Sequence, residues 1–188
     1  FYESDKVLTI SLHESGEFLF PGTGFCENMG IGKGLGYTIN LPLHPYTDDE
    51  VYESAFIQIV PPIIQAFRPE ILVTQIGIDT HFRDPITDLR LTVQGFENLV
   101  KKLSLLSPGR WLVLGGGGYD LRAVVQGWAG AYGIILNRSW PEQTPAGFHS
   151  RYGVDVLHDP LPEVVLTSER EQAVSYAQRG INFIKKNI

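Results

Sequence analysis

Asp79 closes the apolar run Ile71-Leu72-Val73-Thr74-Gln75-Ile76-Gly77-Ile78. A carboxylate at the C-terminal end of a buried strand is well placed for a metal ion or a polar substrate. His81 follows two residues later. In an extended segment the two side chains share a face, and carboxylate oxygen with imidazole nitrogen suits zinc. The alternative for the same residues is that Asp79 caps the following loop and His81 is solvated. A second reactive group, the Tyr119 phenol, follows four consecutive glycines, Gly115 to Gly118, which come directly after Trp111-Leu112-Val113-Leu114. Glycine weakens regular structure, so such a run marks main chain that something must approach closely. A phenol over a glycine-lined cleft can donate to developing oxyanion charge, a contribution of about 2.7–4 kcal/mol per donor. Otherwise Tyr119 fills a gap at a strand end.

The elements that must position these groups follow from periodicity. Four strands are expected by their apolar, β-branched content: Val7 to Leu12, Tyr37 to Leu43, Ile71 to Ile78 and Trp111 to Leu114. Helix-length segments separate all but the first two, the pattern of an α/β fold with a parallel sheet and helices on both faces. The third run is apolar on both alternating faces except at Thr74 and Gln75, which predicts a central strand buried on both sides. Thr47 with Glu50 reads as a capping box before Val51, Ala55, Phe56 and Ile59. Pro61-Pro62 is expected to break or sharply kink that helix, since an interior proline costs roughly 3 kcal/mol. Thr92 is expected to cap a helix that Ser107-Pro108-Gly109 stops. After Tyr119 a helix carries Leu121, Val124, Val125, Trp128 and Ala129 on one stripe. Ser168 with Glu171 opens a last helix through Ala173, Ala177, Ile181, Ile184 and Ile188, with Lys185 and Lys186 suited to its C-terminal dipole. Phe20 to Gly36, with six glycines, and Pro141 to Pro162 read as irregular. No linker or repeat divides the chain, so residues 1–188 are expected to form one structural unit.

Other chemical signals are weaker. The glycine run lacks the Lys-Ser/Thr of a phosphate-binding loop and the spacing of a dinucleotide fingerprint, and Lys33 within Gly30 to Gly34 has no strand-loop-helix context. His13, His44, His149 and His158 have no second ligand at metal spacing. Cys26 is the one cysteine, which excludes an internal disulfide and a Cys-based zinc signature. With 188 residues, 43% hydrophobic content and a net charge of −6, the chain can bury a sizeable core and lacks the basic face that nucleic acid needs. No apolar stretch reaches the roughly 18 residues of a membrane span. A chain with no signal peptide, whose Phe1-Tyr2-Glu3 start runs quickly into a strand, reads as a cytoplasmic fragment beginning mid-domain.

As a set, Val7-Leu8-Thr9-Ile10-Ser11-Leu12-His13, Phe20-Pro21-Gly22-Thr23-Gly24, Gly30-Ile31-Gly32-Lys33-Gly34, Gln75-Ile76-Gly77-Ile78-Asp79-Thr80 and Leu114-Gly115-Gly116-Gly117-Gly118-Tyr119 resemble the zinc-dependent histone deacetylase superfamily. The likeness is strongest to its bacterial acetoin-utilisation branch and covers roughly the first 135 residues in family order and spacing. It implies an arginase-like α/β fold in which two aspartates and a histidine hold zinc. By this resemblance Asp79 matches the last of those aspartates and Tyr119 the tyrosine that polarises the acetamide carbonyl. Phe20 matches a wall of the acyl-lysine tunnel, Ile86 a hydrophobic rim, and Gly117 the place where substrate passes bare backbone. Ser11 and Leu12 match part of one monovalent-cation (potassium) site, and Tyr37 part of a second. The implied substrate is acetylated lysine or a small acetylated amine.

The departures carry their own expectations. The family's Asp-x-His ligand pair and tandem histidines lie upstream of where this chain begins, and by alignment His81 is a loop residue. Phe25 stands where an acidic residue is common. The 188 residues are therefore expected to be the C-terminal portion of one deacetylase-like domain, without activity or tightly bound zinc of their own. The rival expectation is a non-catalytic module derived from the same fold, forming homo-oligomers through an exposed sheet edge.

Overall fold

The computed structural model describes residues 1–160 and 165–188, which divide into two compact units. The first comprises 1–68 and 165–188, the second 69–164. The end of the Pro141 to Pro162 stretch lies outside the described residues.

In the first unit, β1 (Thr9–Glu14) pairs in parallel with β2 (Thr38–Leu43), Thr9 opposite Thr38. A parallel pair needs a long crossover, and here it is mostly loop with one 3-10 turn at Gly32–Gly34. Ile39, Leu41 and Leu43 on β2 are buried. They meet α5 (Thr167–Asn187), where Gly180 lies so close to β2 that an added Cβ would stand 2.8 Å from Leu41. The buried stripe of α5 is Ala173, Ala177, Ile181 and Ile184, as its period predicts, while Ile188 is exposed. Its expected Ser168 cap is not used, because the helix starts one residue earlier, at Thr167.

α1 (Asp49–Phe67) corrects two further expectations. Its N-cap is Asp48, whose carboxylate accepts from the Val51 amide at 2.9 Å. Thr47 instead turns inward and donates to the His44 carbonyl. The helix also runs through Pro61 and Pro62 without ending. The two prolines remove amides that would have bonded to Ile57 and Gln58. Ile57 is exposed, so its freed carbonyl is on the solvent side, while Ile59, Val60 and Ile64 keep the opposite face buried.

In the second unit β3 (Leu72–Gln75) pairs in parallel with β4 (Trp111–Leu114) across α2 (Val93–Leu106), a β-α-β unit. Thr92 caps α2 as expected, accepting from the Gly95 amide at 3.0 Å. α3 (Leu121–Ile135) follows the glycine run, and Asp120 caps it through the amides of Arg122 and Ala123. α4 (Phe148–Tyr152) is a short turn of helix in the tail. The core joins Ile76, Ile78, Phe96, Val100, Ala123 and Ala131, with Trp111, Val113 and Trp128 against it. The buried face of α3 is set by its small residues, Ala123, Gly127, Gly130 and Ala131, so it is rotated from the predicted stripe and leaves Leu121 exposed. Close approach explains the rotation: Gly127 fits against Ile78 and Phe96, and Gly130 against Glu97.

β3 is not buried on both sides. Ile71 and Val73 are each 56% exposed, and Leu112 and Leu114 beside them are also exposed. Regular pairing ends at Gln75, earlier than expected, although Ile76 and Ile78 still donate to the carbonyls of Leu114 and Gly117.

Candidate functional site

The site in the second unit is built where those last two hydrogen bonds end. Ile78 N–H to Gly117 O, at 2.8 Å, brings the main chain before Asp79 against the glycine run. The Asp79 carboxylate then lies directly on Gly117, where an added Cβ would overlap its oxygen and stand 2.7 Å from its Cγ. Gly116 makes equivalent room for Gln75 and Gly77, and Gly115 for Trp128. Gly118 has φ +147° and packs on Ile78 and Val124, a combination that excludes a side chain. The chain's own strand end therefore occupies the bare main chain of the glycine run.

Asp79 is half-buried, and burial is the main force pushing its pKa above the ordinary carboxylate range. Its own backbone amide opposes the shift and the negative charge of Asp84 adds to it. No cation and no hydrogen bond from another residue meets its side chain among the described residues. Tyr119 stands two residues after Gly117, 54% exposed, and its hydroxyl is without a hydrogen-bond partner among the described residues. Carboxylate and phenol thus share one end of the β3–β4 pair.

The two are tied together by a residue that sequence reasoning passed over. Asp84 is buried; one of its oxygens accepts from the amides of Ile86 and Thr87 at 2.9 and 3.3 Å, the other from Tyr119 N–H at 2.8 Å. Thr87 in turn donates its hydroxyl to the Asp79 carbonyl. The signal was local: Asp84-Pro85-Ile86-Thr87 has the composition of an Asx turn, in which a carboxylate bonds amides a few residues on.

His81 is not a partner of Asp79 and is not solvated. The chain turns at Asp79-Thr80, with His81 N–H on the Ile78 carbonyl, so the extended geometry that would align the two side chains is absent. The imidazole is fully buried. Nδ1 accepts from the Arg83 amide at 3.1 Å, which leaves Nε2 to donate to Asp159 at 3.0 Å. Asp159 also receives Arg83 at 2.6 Å and the Val93 amide at 2.8 Å. Desolvation raises the pKa of this buried carboxyl, yet the hydrogen bonds from His81 and Val93 and the nearby charges outweigh it and hold it at about 2. Nothing in the sequence pointed to Asp159, which lies 78 residues from His81.

The remaining candidates belong to the first unit. Phe20 is 92% exposed. Ser11 is exposed on β1 and its hydroxyl meets His13 Nδ1 at 2.8 Å. The Leu12 carbonyl accepts from the Tyr52 hydroxyl at 3.3 Å, and the Tyr37 carbonyl from Thr9 N–H at 2.9 Å. Burial lowers the pKa of His13, whose Nε2 meets the Gly24 carbonyl, and raises that of Cys26 to about 11, which leaves its thiol protonated.

A zinc ion would find one suitable donor here. Asp79 is a half-buried carboxylate without a competing cation, which fits a metal ligand. No group of three or more His, Cys, Asp or Glu able to hold a metal occurs among the described residues. No helix among them is long and apolar enough to cross a membrane.

Comparison with known proteins places these residues in context. Residues 1–135 match the family model described as the histone deacetylase domain. The acetoin utilization protein AcuC of Bacillus subtilis is 33% identical over 96% of this chain, and AcuC of Staphylococcus xylosus is 38% identical over 78%. The chain covers 52% of the first and 38% of the second, so it spans about half the length of the first curated relative and less of the second. A crystal structure of an HDAC homolog complexed with SAHA is similar at a TM-score of 0.82 and 27% identity, over 95% of this chain and 52% of that one. A structure of an HDAC homolog from Aquifex aeolicus matches over the same shares with a TM-score of 0.82 and 26% identity.

Proposed function

Since the chain belongs to the histone deacetylase domain family, we propose that it is the C-terminal portion of a single zinc-dependent amidohydrolase domain that removes acetyl groups from acetyl-lysine or a small acetylated amine. The observation that carries this reading is the Asp79 carboxylate seated on bare Gly117 main chain, two residues before an exposed and unpartnered Tyr119 phenol. Zinc, when bound, supplies a Lewis acid and lowers the pKa of its water. Asp79 is one of its donors. Tyr119 is the catalytic residue of this chain, a neutral hydroxyl free to donate to the carbonyl oxygen as negative charge develops there. At Gly117 the Asp79 carboxylate fills the space a side chain would take, so this glycine serves the substrate site by admitting that donor, and Ile86, half exposed, offers apolar surface to the acyl-lysine stem. In the first unit Phe20 offers an exposed aromatic surface for the same class of substrate. Ser11, Leu12 and Tyr37 offer the oxygens for monovalent cations, potassium among them. A cytoplasmic setting and no nucleic-acid partner belong to the same reading.

Among the described residues one zinc donor and no general-base histidine are assigned, so we propose that the 188 residues by themselves are inactive and hold no zinc tightly. Incubation of the purified chain with zinc and a fluorogenic acetyl-lysine peptide is expected to give no turnover. Turnover that disappears in Tyr119→Phe refutes the inactivity. In the complete domain Tyr119→Phe is expected to lower kcat by about 10²–10³ with little change in KM; unchanged kcat removes the assigned role of the phenol.

A second reading, a non-catalytic module that self-associates, draws on the exposed apolar face of Ile71, Val73, Leu112 and Leu114. It requires a dimer or larger species in light scattering of the 188-residue chain, and a monomer at every concentration tested rejects it.

A further inference from the structure

No hydrogen bond holds the ring end of Tyr119 among the described residues. Its hydroxyl is without a partner and its ring makes no aromatic contact among the described residues, and it is more exposed than buried. The four residues before it are glycines, which give the main chain no side-chain anchorage and the largest conformational freedom to lose. The position of the phenol must therefore come from the backbone, and two tethers fix that backbone. One is Gly117 O on Ile78 N–H; the other is Tyr119 N–H on Asp84. The second tether is charge-assisted, part-buried through the buried Asp84, and reaches across 35 residues of sequence.

The same carboxylate holds the opposite wall. Its other oxygen gathers the amides of Ile86 and Thr87, and Thr87 reaches the Asp79 carbonyl. One side chain with two oxygens thus connects the residue assigned to the oxyanion, the residue assigned to the acyl stem, and the end of the strand that carries the metal donor. We infer that Asp84 is a positioning residue, one that sets Tyr119 and Ile86 at a fixed separation so that carbonyl and acyl stem are met by a single rigid unit. This inference rests on the amidohydrolase reading for its meaning, while the tether itself can be measured without turnover.

Asp84→Asn separates the two halves of the tether. Asparagine keeps one acceptor oxygen, which serves the local turn, and turns an amide NH₂ towards Tyr119 N–H, donor against donor. Residue-resolved hydrogen exchange on the 188-residue chain is expected to show the Tyr119 amide exchanging about tenfold faster or more, with Ile86 and Thr87 unchanged. Asp84→Ala is expected to release all three. The Gly95 and Ala123 amides, held by Thr92 and Asp120, are expected to keep their wild-type rates in both variants. In chain labelled with 3-fluorotyrosine, the ¹⁹F resonance lost in Tyr119→Phe identifies the phenol. That resonance is expected to narrow and move towards the free amino acid position in Asp84→Asn. Unchanged Tyr119 exchange together with an unmoved ¹⁹F line overturns the inference, as does an equal rise at Gly95 and Ala123, which marks general loosening. Neither readout depends on catalysis, so failure of the deacetylation assays leaves this result standing, and the reverse also holds.

Discussion

Asp79 and Asp159 are both withdrawn from water in the same unit, and their surroundings differ in kind. Asp159 receives an imidazole, a guanidinium and a backbone amide, and its pKa falls to about 2. Asp79 receives no donor from another residue among those described, has Asp84 for a charged neighbour, and its pKa rises, chiefly through burial. A buried carboxylate with its hydrogen bonds filled belongs to the architecture, since removing any partner leaves an uncompensated charge. One left unfilled costs stability and persists where a ligand completes it. The Asp-x-His pair that spacing places on one face is thus split by a turn into a half whose hydrogen bonds are filled and a half, Asp79, whose carboxylate is left for the proposed metal.

The largest test of this contrast is to remove each carboxylate. Asp159→Ala leaves the buried His81 Nε2–H and Val93 N–H without their acceptor, while the partly buried Arg83 keeps Gln126, and it is expected to destabilise the second unit by about 1–3 kcal/mol for each stranded donor. Asp79→Ala is expected to lie within about 0.5 kcal/mol of wild type. Urea unfolding followed by tryptophan fluorescence reads this unit selectively, because Trp111, Trp128 and Trp140 all lie in it. Equal costs for the two substitutions end the distinction. The same contrast has an acid signature. The folded pKa of Asp159 is depressed, so its contribution is complete above the unfolded value near 3.8 and is lost as pH falls through about 2. The loss is about 2 kcal/mol, and the acid unfolding midpoint of Asp159→Asn is expected to have lost that dependence.

A smaller effect tests the contact that defines the site. In Gly117→Ala the new Cβ meets the Asp79 carboxylate, and the short side chain can move only by leaving the glycine main chain. A cost of about 1–2 kcal/mol is expected from this overpacking. Asp79→Ala in the same chain is expected to relieve most of it, since the clash is with that side chain. A double-mutant cycle in urea that finds the two substitutions additive would place the carboxylate elsewhere.

What was legible in the sequence follows the range of the interactions. β4 begins and ends where its four residues predict, and Thr92 caps α2, because apolar runs and caps act within a few residues. The α1 cap slipped by one residue because Asp48 adjoins Thr47 and competes for the same amides, while Thr47 found a carbonyl in the preceding turn. The stripe of α3 was legible in part: Val124 and Trp128 pack against the core, whereas the closest approach, to Ile78, Phe96 and Glu97, selects glycine. At the site, Asp79 and Tyr119 stand out by residue type and by position at strand ends. Asp84 was within reach through its Asx-turn composition. Asp159 was not, because its partners His81, Arg83 and Val93 lie 66 to 78 residues away and no local pattern encodes that pairing.

His158 supplies the smallest effect and the sharpest control, because it repeats the His–carboxylate chemistry of His81 at the surface. Nδ1 faces Glu142 at 2.5 Å and Nε2 faces Glu97 at 3.3 Å, so both ring nitrogens must carry protons to satisfy both acceptors. Partial burial pulls its pKa down, and the hydrogen bonds to Glu142 and Glu97 with their charges outweigh that and raise it. With its side chain 32% exposed and that of Glu142 51% exposed, solvent screens the pair, and His158→Ala is expected to cost less than about 1 kcal/mol. Glu97 keeps Lys101 within reach at 3.9 Å, so its charge is not stranded. Because the folded pKa is raised, the contribution is complete below the unfolded value near 6.5 and fades as pH climbs through the folded one. Raising salt should shrink it further. Urea midpoints for wild type and His158→Ala, taken at pH 6 and pH 9, are expected to differ at the lower pH and converge at the higher. A His158 cost matching that of Asp159→Ala would mean that pairing alone, without burial, decides which carboxylates are structural.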